Sequence, residues 1–314
     1  MSRSLEKNIK TLLKKYGIYP SKRLGQNFLI DKKVLNKIIK AANPQREDIV
    51  LEIGPGIGNL TQELAKRVKR IIAVEKDPKM CEILKETLKD FKNVQIINKD
   101  ILKFPMNSEQ RTANNKKLFI VRCSLFANYK VVANLPYYIT SPVIRKFLEL
   151  ANPPKEMILT VQKEVAQRIC AAPPKMSILA VSVQFYAKPE IISYVSKKSF
   201  WPQPKVDSAI LKISAFNQRR KSAFNQRFFI IVKAGFSQPR KQLVNNLSKG
   251  LALSSSNGLA LSSSNGLALS LPNGLKLDKQ KVKELLLKNN IQPTQRAETL
   301  TVDDWIRLTL SLGV

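Results

Sequence analysis

Between positions 49 and 75 the chain reads IVLEIGPGIGNLTQELAKRVKRIIAVE, and few folds accommodate such a run. Ile49 to Ile53 is a short apolar stretch of the kind that forms a buried strand. It breaks on Gly54-Pro55-Gly56-Ile57-Gly58-Asn59. Leu60 to Arg67 then has helical spacing, and a second strand, Ile71 to Val74, ends on Glu75. Strand, glycine turn, helix and strand make a βαβ unit, the building block of a parallel sheet covered by helices. The glycine turn, with Gly54 and Gly56, lets a ligand approach the backbone closely, and an acidic residue at the second strand end can bind both hydroxyls of a ribose. A third strand, Val94 to Asn98, leads to Asp100. A purely structural glycine turn is the alternative, and the strand, the helix and Glu75 together weigh against it.

The spacing departs from the dinucleotide fingerprint: the third glycine comes one residue early, and Glu52 precedes the turn. Glu-x-Gly-x-Gly-x-Gly resembles instead the pattern of S-adenosylmethionine (SAM) methyltransferases. A second stretch, Val131-Val132-Ala133-Asn134-Leu135-Pro136-Tyr137-Tyr138, reads as the end of another buried strand. Pro136 cannot donate to a sheet ladder, so Asn134 to Tyr137 sit at the strand's C-terminal mouth, where open α/β sheets bind ligands. The Asn134 amide oxygen and the Leu135 carbonyl can both accept from one exocyclic amino group, turning its lone pair outward, while Tyr137 stacks on the ring that carries it. The same four residues are also compatible with an ordinary strand end, a proline turn and a core tyrosine.

What the ligand's partner is follows from charge. The 314 residues hold 54 Lys and Arg against 23 Asp and Glu, a formal charge of +31 that points to a polyanion. Between Asp207 and Asp278 there are ten basic residues and no acidic one; the first forty residues carry eleven basic groups against Glu6 and Asp31. A membrane surface or a basic proteome would also produce such an excess, but no apolar run approaches the roughly twenty residues that span a bilayer. Cys81, Cys123 and Cys170 are odd in number and lack metal-ligand spacing, which fits a reduced cytoplasm. The absence of histidine removes the usual general base and the commonest metal ligand, so no metal is expected.

The N-terminus opens with a basic amphipathic helix, about Leu5 to Tyr16, whose Leu5, Ile9, Leu12 and Leu13 share one face. A mitochondrial presequence is weakened by Glu6 and by the short length. A loop, Ser21 to Asp31, follows. Its Gly25-Gln26-Asn27-Phe28-Leu29 suits a lid over a ligand, and Asp31 is placed to cap a helix from Lys32 to Ala42.

Gly25 to Leu29, Glu52 to Gly58, Glu75, Asp100 and Asn134 to Tyr137 occur in the order found in the ribosomal RNA adenine N6-dimethyltransferases, which the chain resembles over most of its length. Gln162 to Arg168, Phe200-Trp201-Pro202-Gln203-Pro204-Lys205-Val206-Asp207-Ser208 and Pro293 to Glu298 are similar to that family's later motifs. The lid, Leu135 in place of the isoleucine usual in macrolide-resistance methylases, and the tail motif resemble the housekeeping branch. The resemblance implies an α/β fold, a Rossmann-like SAM-methyltransferase sheet flanked by helices, with a smaller all-helical C-terminal domain. It implies dimethylation of two adjacent adenosines in the 3′-terminal hairpin loop of small-subunit (16S) rRNA during maturation of the pre-ribosomal small subunit. Carried over by position, Asn27 and Leu29 would contact SAM, Gly54 would lie against it, Glu75 would hold its ribose and Asp100 its adenine. Asn134, at the boundary of both ligands, and the Leu135 carbonyl would grip the target amine, while Tyr137 and Phe200 sandwich the flipped base. For Phe200 the alternative is ordinary packing beside Trp201.

The expected organisation is a catalytic domain over 1–213, with an insertion at about 106–128, and a helical RNA-binding domain over 214–314. Within the latter, Leu251 to Gly258 reads LALSSSNG, repeats at Leu259 to Gly266 and recurs imperfectly at Leu267 to Gly274; the array reads as a surface loop. Phe228 to Phe236, Arg240 to Leu247, Lys279 to Lys288 and Val302 to Leu312 read as helices around it. A cytoplasmic monomer is expected. Two rivals keep part of this pattern. A SAM enzyme for another substrate leaves the basic C-terminal domain unexplained, and a non-catalytic RNA-binding protein has no need of Asn134, Tyr137 and Phe200 together.

Overall fold

The βαβ pattern builds a mixed sheet in the computed structural model, which describes residues 2–106, 128–216, 223–256 and 278–312. Helix α1 (Ser2–Lys15) leads through strand β1 (Phe28–Leu29) and α2 (Lys32–Ala42) to β2 (Ile49–Ile53), α3 (Asn59–Ala65), β3 (Arg70–Glu75), α4 (Pro78–Thr87) and β4 (Val94–Asn98). Next come β5 (Tyr129–Asn134), α5 (Thr140–Leu148), β6 (Glu156–Gln162), α6 (Lys163–Ile169), α7 (Ile178–Tyr186), β7 (Lys188–Val195), β8 (Phe200–Trp201) and β9 (Ser208–Ser214). Helices α8 (Ala223–Gly235), α9 (Leu243–Ser256), α10 (Lys279–Lys288) and α11 (Val302–Ser311) complete the order.

The chain divides into two compact units, residues 1–167 with 187–217, and residues 168–186 with 218–314. The first holds a seven-stranded sheet in the order β4-β3-β2-β5-β6-β9-β7. All neighbours from β4 to β6 are parallel, and β9 runs antiparallel between β6 and β7. Strands β2, β3 and β5 are buried on both faces, which is why each is apolar at most positions and does not alternate. From β2 the chain moves outward to β4, then returns to β5 on the other side of β2. This reversal opens a crevice at the C-terminal ends of β2 and β5, where Ile53 is opposite Ala133.

At the other end of β5, Lys130 is 7% exposed. Its ammonium lies 3.0 Å from both Asp48 and Glu156 and donates to the carbonyls of Ala42 at 2.9 Å and Asn43 at 3.0 Å. Two carboxylates and two carbonyls thus replace the water that a buried cation needs.

The apolar face of α1 packs into the first unit: Ile9 and Leu13 join Phe28, Ile57, Met80 and Ile83 in one buried cluster. The Lys15 ammonium and the Tyr16 hydroxyl both meet Glu86 of α4. Helix α2 starts where expected, with the Asp31 carboxylate accepting the Lys33 N–H at 2.9 Å.

In the second unit the Phe185 and Phe228 rings stack with centroids 4.0 Å apart, and Trp305 of α11 is fully buried. This unit includes 168–186 with α7, which the expected boundary at 214 left with the catalytic domain. Side-chain packing decides this, and position along the chain does not. A second difference concerns the repeats. Leu251 to Ser256, expected in a loop, extend α9, and Leu251 is buried. The reason is helical spacing, for Leu243, Leu247 and Leu251 recur every fourth residue on one buried face. Gly250 beside them allows α9 to approach α8 closely, since a β-carbon there would be 2.7 Å from that of Ala234. The rest of the array, 257–274, lies outside the described residues, as do 107–127 of the expected insertion and Arg219 to Lys221.

Candidate active site

The crevice at the strand reversal is a cavity, and the residues singled out from the sequence line it. Gly54, Gly56, Glu75 and Asp100 come from the turns after β2, β3 and β4; Asn134, Leu135 and Tyr137 come from the end of β5. Asn27 and Leu29 of the N-terminal loop and Phe200 of β8 complete the lining.

The glycine turn has the close approach that its sequence implies. Gly56 has φ +61, and a β-carbon on it would be 3.2 Å from the Phe28 ring, so any side chain would push the N-terminal loop away. Glu75 follows the same turn. Its carboxylate accepts the Gly56 N–H at 3.3 Å on one oxygen and the Asp77 N–H at 2.8 Å on the other. Each oxygen therefore keeps capacity to accept from a further donor. Burial raises the Glu75 pKa, and these backbone hydrogen bonds oppose the shift without cancelling it. Asp100 lies beside Lys76, with 2.9 Å between the charged atoms, and accepts the Leu102 N–H at 2.9 Å. Desolvation would raise its pKa, but Lys76 and the Leu102 N–H together leave it below the ordinary value.

Asn134 is held by the N-terminal loop. Its side-chain N–H donates to the Asn27 carbonyl at 3.0 Å, so the amide oxygen is the atom left for a ligand. The loop is secured in turn, for the Gln26 amide bonds Asp77 at 2.8 Å and the Ser21 N–H bonds the Gln26 side chain at 2.8 Å. Tyr137 and Ser208 share a hydrogen bond of 2.7 Å between hydroxyls, which fixes the ring at the cavity wall.

Phe200 is both a core residue and part of the cavity lining. It is 4% exposed and belongs to a core cluster with Leu29 and Leu35, yet it also faces the cavity. Its position comes from a pairing the sequence does not advertise: β1 and β8 form a two-stranded antiparallel ribbon with Leu29 opposite Phe200 and Phe28 opposite Trp201. The Ile30 N–H to Ser199 carbonyl bond, 2.9 Å, continues this ribbon.

One residue was quoted in the motif but given no role. Glu52 is 1% exposed, lines the cavity, and its Oε2 makes no hydrogen bond. Burial pushes its pKa up to about 8, with Thr61 nearby opposing the shift and the Glu75 charge adding to it. The available signal was a carboxylate in the middle of an otherwise apolar strand.

A Rossmann-like sheet with a glycine turn at its reversal point, a buried carboxylate at the end of the next strand and an Asn-Leu-Pro-Tyr corner define a methyltransferase of the α/β class. Residues 20–267 match the family model for ribosomal RNA adenine dimethylase, and the chain belongs to that family. Among similar curated proteins is the ribosomal RNA small subunit methyltransferase A of Alkaliphilus oremlandii, 38% identical over 96% of this chain and 95% of its own. The protein of the same name from Caldanaerobacter subterraneus subsp. tengcongensis is 41% identical over 93% of this chain and 96% of its own. Among solved structures, a dimethyladenosine transferase from Plasmodium falciparum aligns with a TM-score of 0.69 at 26% identity, covering 90% of this chain and 95% of that one. The 23S rRNA methyltransferase ErmE shares the fold, with a TM-score of 0.65 at 23% identity over 91% of this chain and 99% of that one.

Proposed function

We propose that the chain transfers methyl groups from SAM to the N6 amino groups of two adjacent adenosines in the 3′-terminal hairpin loop of small-subunit (16S) rRNA. It would do so as a cytoplasmic monomer acting on the pre-ribosomal small subunit. The names of its relatives support this substrate class, and among the described residues no helix is long and apolar enough to cross a membrane.

The cavity fits the cofactor on its own chemistry. Glu75 keeps acceptor capacity on both oxygens for a ribose diol, and Asp100 offers a carboxylate to an adenine amine. The orphaned Glu52 oxygen is an acceptor for the ammonium of the cofactor's amino-acid end. Gly54 and Gly56 keep the turn free of side chains where the nucleoside passes. When bound, SAM supplies a methyl group already activated by a sulfonium.

The task left to the protein is positioning, which can be worth about 7–11 kcal/mol. The observation that carries the reading is the Asn134–Asn27 hydrogen bond, because it engages the amide nitrogen and leaves the amide oxygen as acceptor. The Asn134 oxygen and the Leu135 carbonyl would accept the two amine protons and direct the nitrogen lone pair towards the cofactor. Tyr137, pinned by Ser208, and Phe200, pinned by β1, would hold the extruded base by its faces. The amine proton released on transfer goes to water; the chain has no histidine to take it. The monomethylated nitrogen remains a nucleophile, so the second transfer needs only rotation and room for one methyl.

Mass spectrometry of rRNA from cells lacking the gene tests the substrate. Two adjacent unmethylated adenosines near the small-subunit 3′ end, restored by the wild-type gene but not by Asn134→Ala, are expected. Unaltered rRNA would overturn the proposal, and restoration by Asn134→Ala would leave the chain an RNA-binding assembly factor.

A further inference from the structure

A shallow depression on the first unit, outside the cavity, is lined by Lys163, Lys197 and Lys205 together with Glu164, Gln167 and Asp207. At its side stands Tyr194, 51% exposed on the last strand of the sheet, an unusual place for a large aromatic ring. The Lys163 ammonium lies 5.1 Å from the Tyr194 ring centroid, and the Gln167 amide is 3.5 Å from its hydroxyl. None of the three lysines forms an ion pair with a carboxylate among the described residues. The Asp207 carboxylate accepts the Lys197 N–H at 2.9 Å and its carbonyl accepts the Lys163 N–H at 3.0 Å, which tie the two lysine-bearing segments together. Lysines without partners beside an exposed ring are the two elements that bind single-stranded nucleic acid, one taking the phosphate and the other the base.

Along the chain the depression borders both walls of the proposed adenine slot. Lys197 is three residues before Phe200, a reach of at most about 11 Å along the chain. Asp207 adjoins Ser208, whose hydroxyl holds Tyr137. These residues would flank a strand of RNA with one base extruded between Tyr137 and Phe200.

We infer that this depression receives the nucleotide next to the target adenosine, its phosphate on Lys163, Lys197 and Lys205 and its base on Tyr194. The inference rests on reading the cavity as an adenosine-methylating site. In a substrate with two adjacent target adenosines, the one not reacting is held here, so exchange of the pair requires a shift of one nucleotide and no dissociation of the RNA.

Binding of the small-subunit 3′ hairpin RNA and methylation of unmodified small subunits provide the test. Tyr194→Ala should weaken hairpin binding about 5- to 150-fold, the range of one aromatic–base stack. Tyr194→Phe, which keeps the ring, should bind as wild type. Lys197→Gln with Lys205→Gln should flatten the logarithmic salt dependence by up to about 0.7, the contribution of one phosphate on a single strand. SAM affinity should not change in any of these variants. A hairpin with an abasic residue on the occupied side of the target should bind wild type and Tyr194→Ala equally. Wild-type affinity and salt slope in Tyr194→Ala and the lysine double variant would overturn the inference, as would a defect in Tyr194→Phe equal to that of Tyr194→Ala. A difference between wild type and Tyr194→Ala that persists with the abasic residue on either side would do the same. Failure of the wild-type protein to methylate small subunits at all would instead overturn the reading of the cavity.

Discussion

The Asn134 side chain donates to the backbone carbonyl of Asn27, 3.0 Å away and 107 residues earlier in the chain. The group proposed to hold the target amine is thus oriented by the loop that covers the cofactor's side of the cavity. Asn134→Ala removes an acceptor and an anchor together, and a fall in kcat/KM on small subunits of about 100-fold or more is expected. Asn134→Asp keeps acceptors but opposes an oxygen to the Asn27 carbonyl, so it should be no better. Steady-state kinetics on small subunits decide this; near-normal turnover by either variant would exclude the proposed grip. For Phe200, leucine is the informative substitution, because alanine would also open the core cluster to which Phe200 belongs.

Glu75 should show the opposite pattern. Glu75→Ala loses the proposed ribose acceptor and releases the Gly56 and Asp77 N–H groups. SAM affinity measured by calorimetry should fall roughly 10- to 100-fold, the size of one or two charge-assisted hydrogen bonds, while hairpin RNA binding stays the same.

The protein without cofactor should lose stability as pH rises, through Glu52. Its folded pKa of about 8 lies above the ordinary 4.5, so the folded state holds this proton more tightly than the unfolded chain. The contribution is fully present below about pH 4.5 and is lost as pH rises through about 8, with an upper bound of about 5 kcal/mol. Glu52→Gln should flatten that part of the stability profile in denaturant titrations between pH 4.5 and 9. An unchanged slope would show that Glu52 is not the group responsible.

Lys130→Met leaves Asp48 buried without a cation, while Glu156 keeps Lys212 at 2.8 Å, and should cost about 3 kcal/mol. Because Lys130 sits at the far end of β5 from Asn134, SAM affinity of the folded variant should match wild type. Chemical denaturation and calorimetry measure the two quantities separately.

In the second unit, Leu251→Ala should destabilise by about 2–5 kcal/mol, as a buried leucine does, although its residue opens a repetitive sequence. Gly250→Ala forces a β-carbon against Ala234 and should cost about 1–3 kcal/mol. Thermal denaturation checks both, and a silent Leu251→Ala would restore the surface-loop reading of that residue.

What could be read from the sequence was what neighbouring residues decide. The limits of β2 and β4, and α2 with its Asp31 cap, follow from local apolar runs and capping side chains, and all ten expected site residues line one cavity. What could not be read depends on partners far along the chain. Nothing near Asn27 announces that its carbonyl, as well as its side chain, would matter. Ser208 gave no sign of holding Tyr137, and residues 168–186 join the helical unit through packing alone. Leu251 was hidden by the opposite error, where a repeat of Ser, Asn and Gly outweighed a leucine spacing of four.

The pairing of Leu29 with Phe200 also sets a timetable. Phe28 and Leu29 are made early, and their partners on β8 emerge almost at the end of the first unit. At ordinary rates of synthesis that interval is on the order of 10–30 s. Until it has passed, the nascent chain has a glycine turn and Glu75 but no Phe200 wall against which the loop can close. The cavity is therefore among the last features of this unit to mature, and a chain stalled before Phe200 carries the glycine turn and Glu75 with no β1–β8 ribbon beside them.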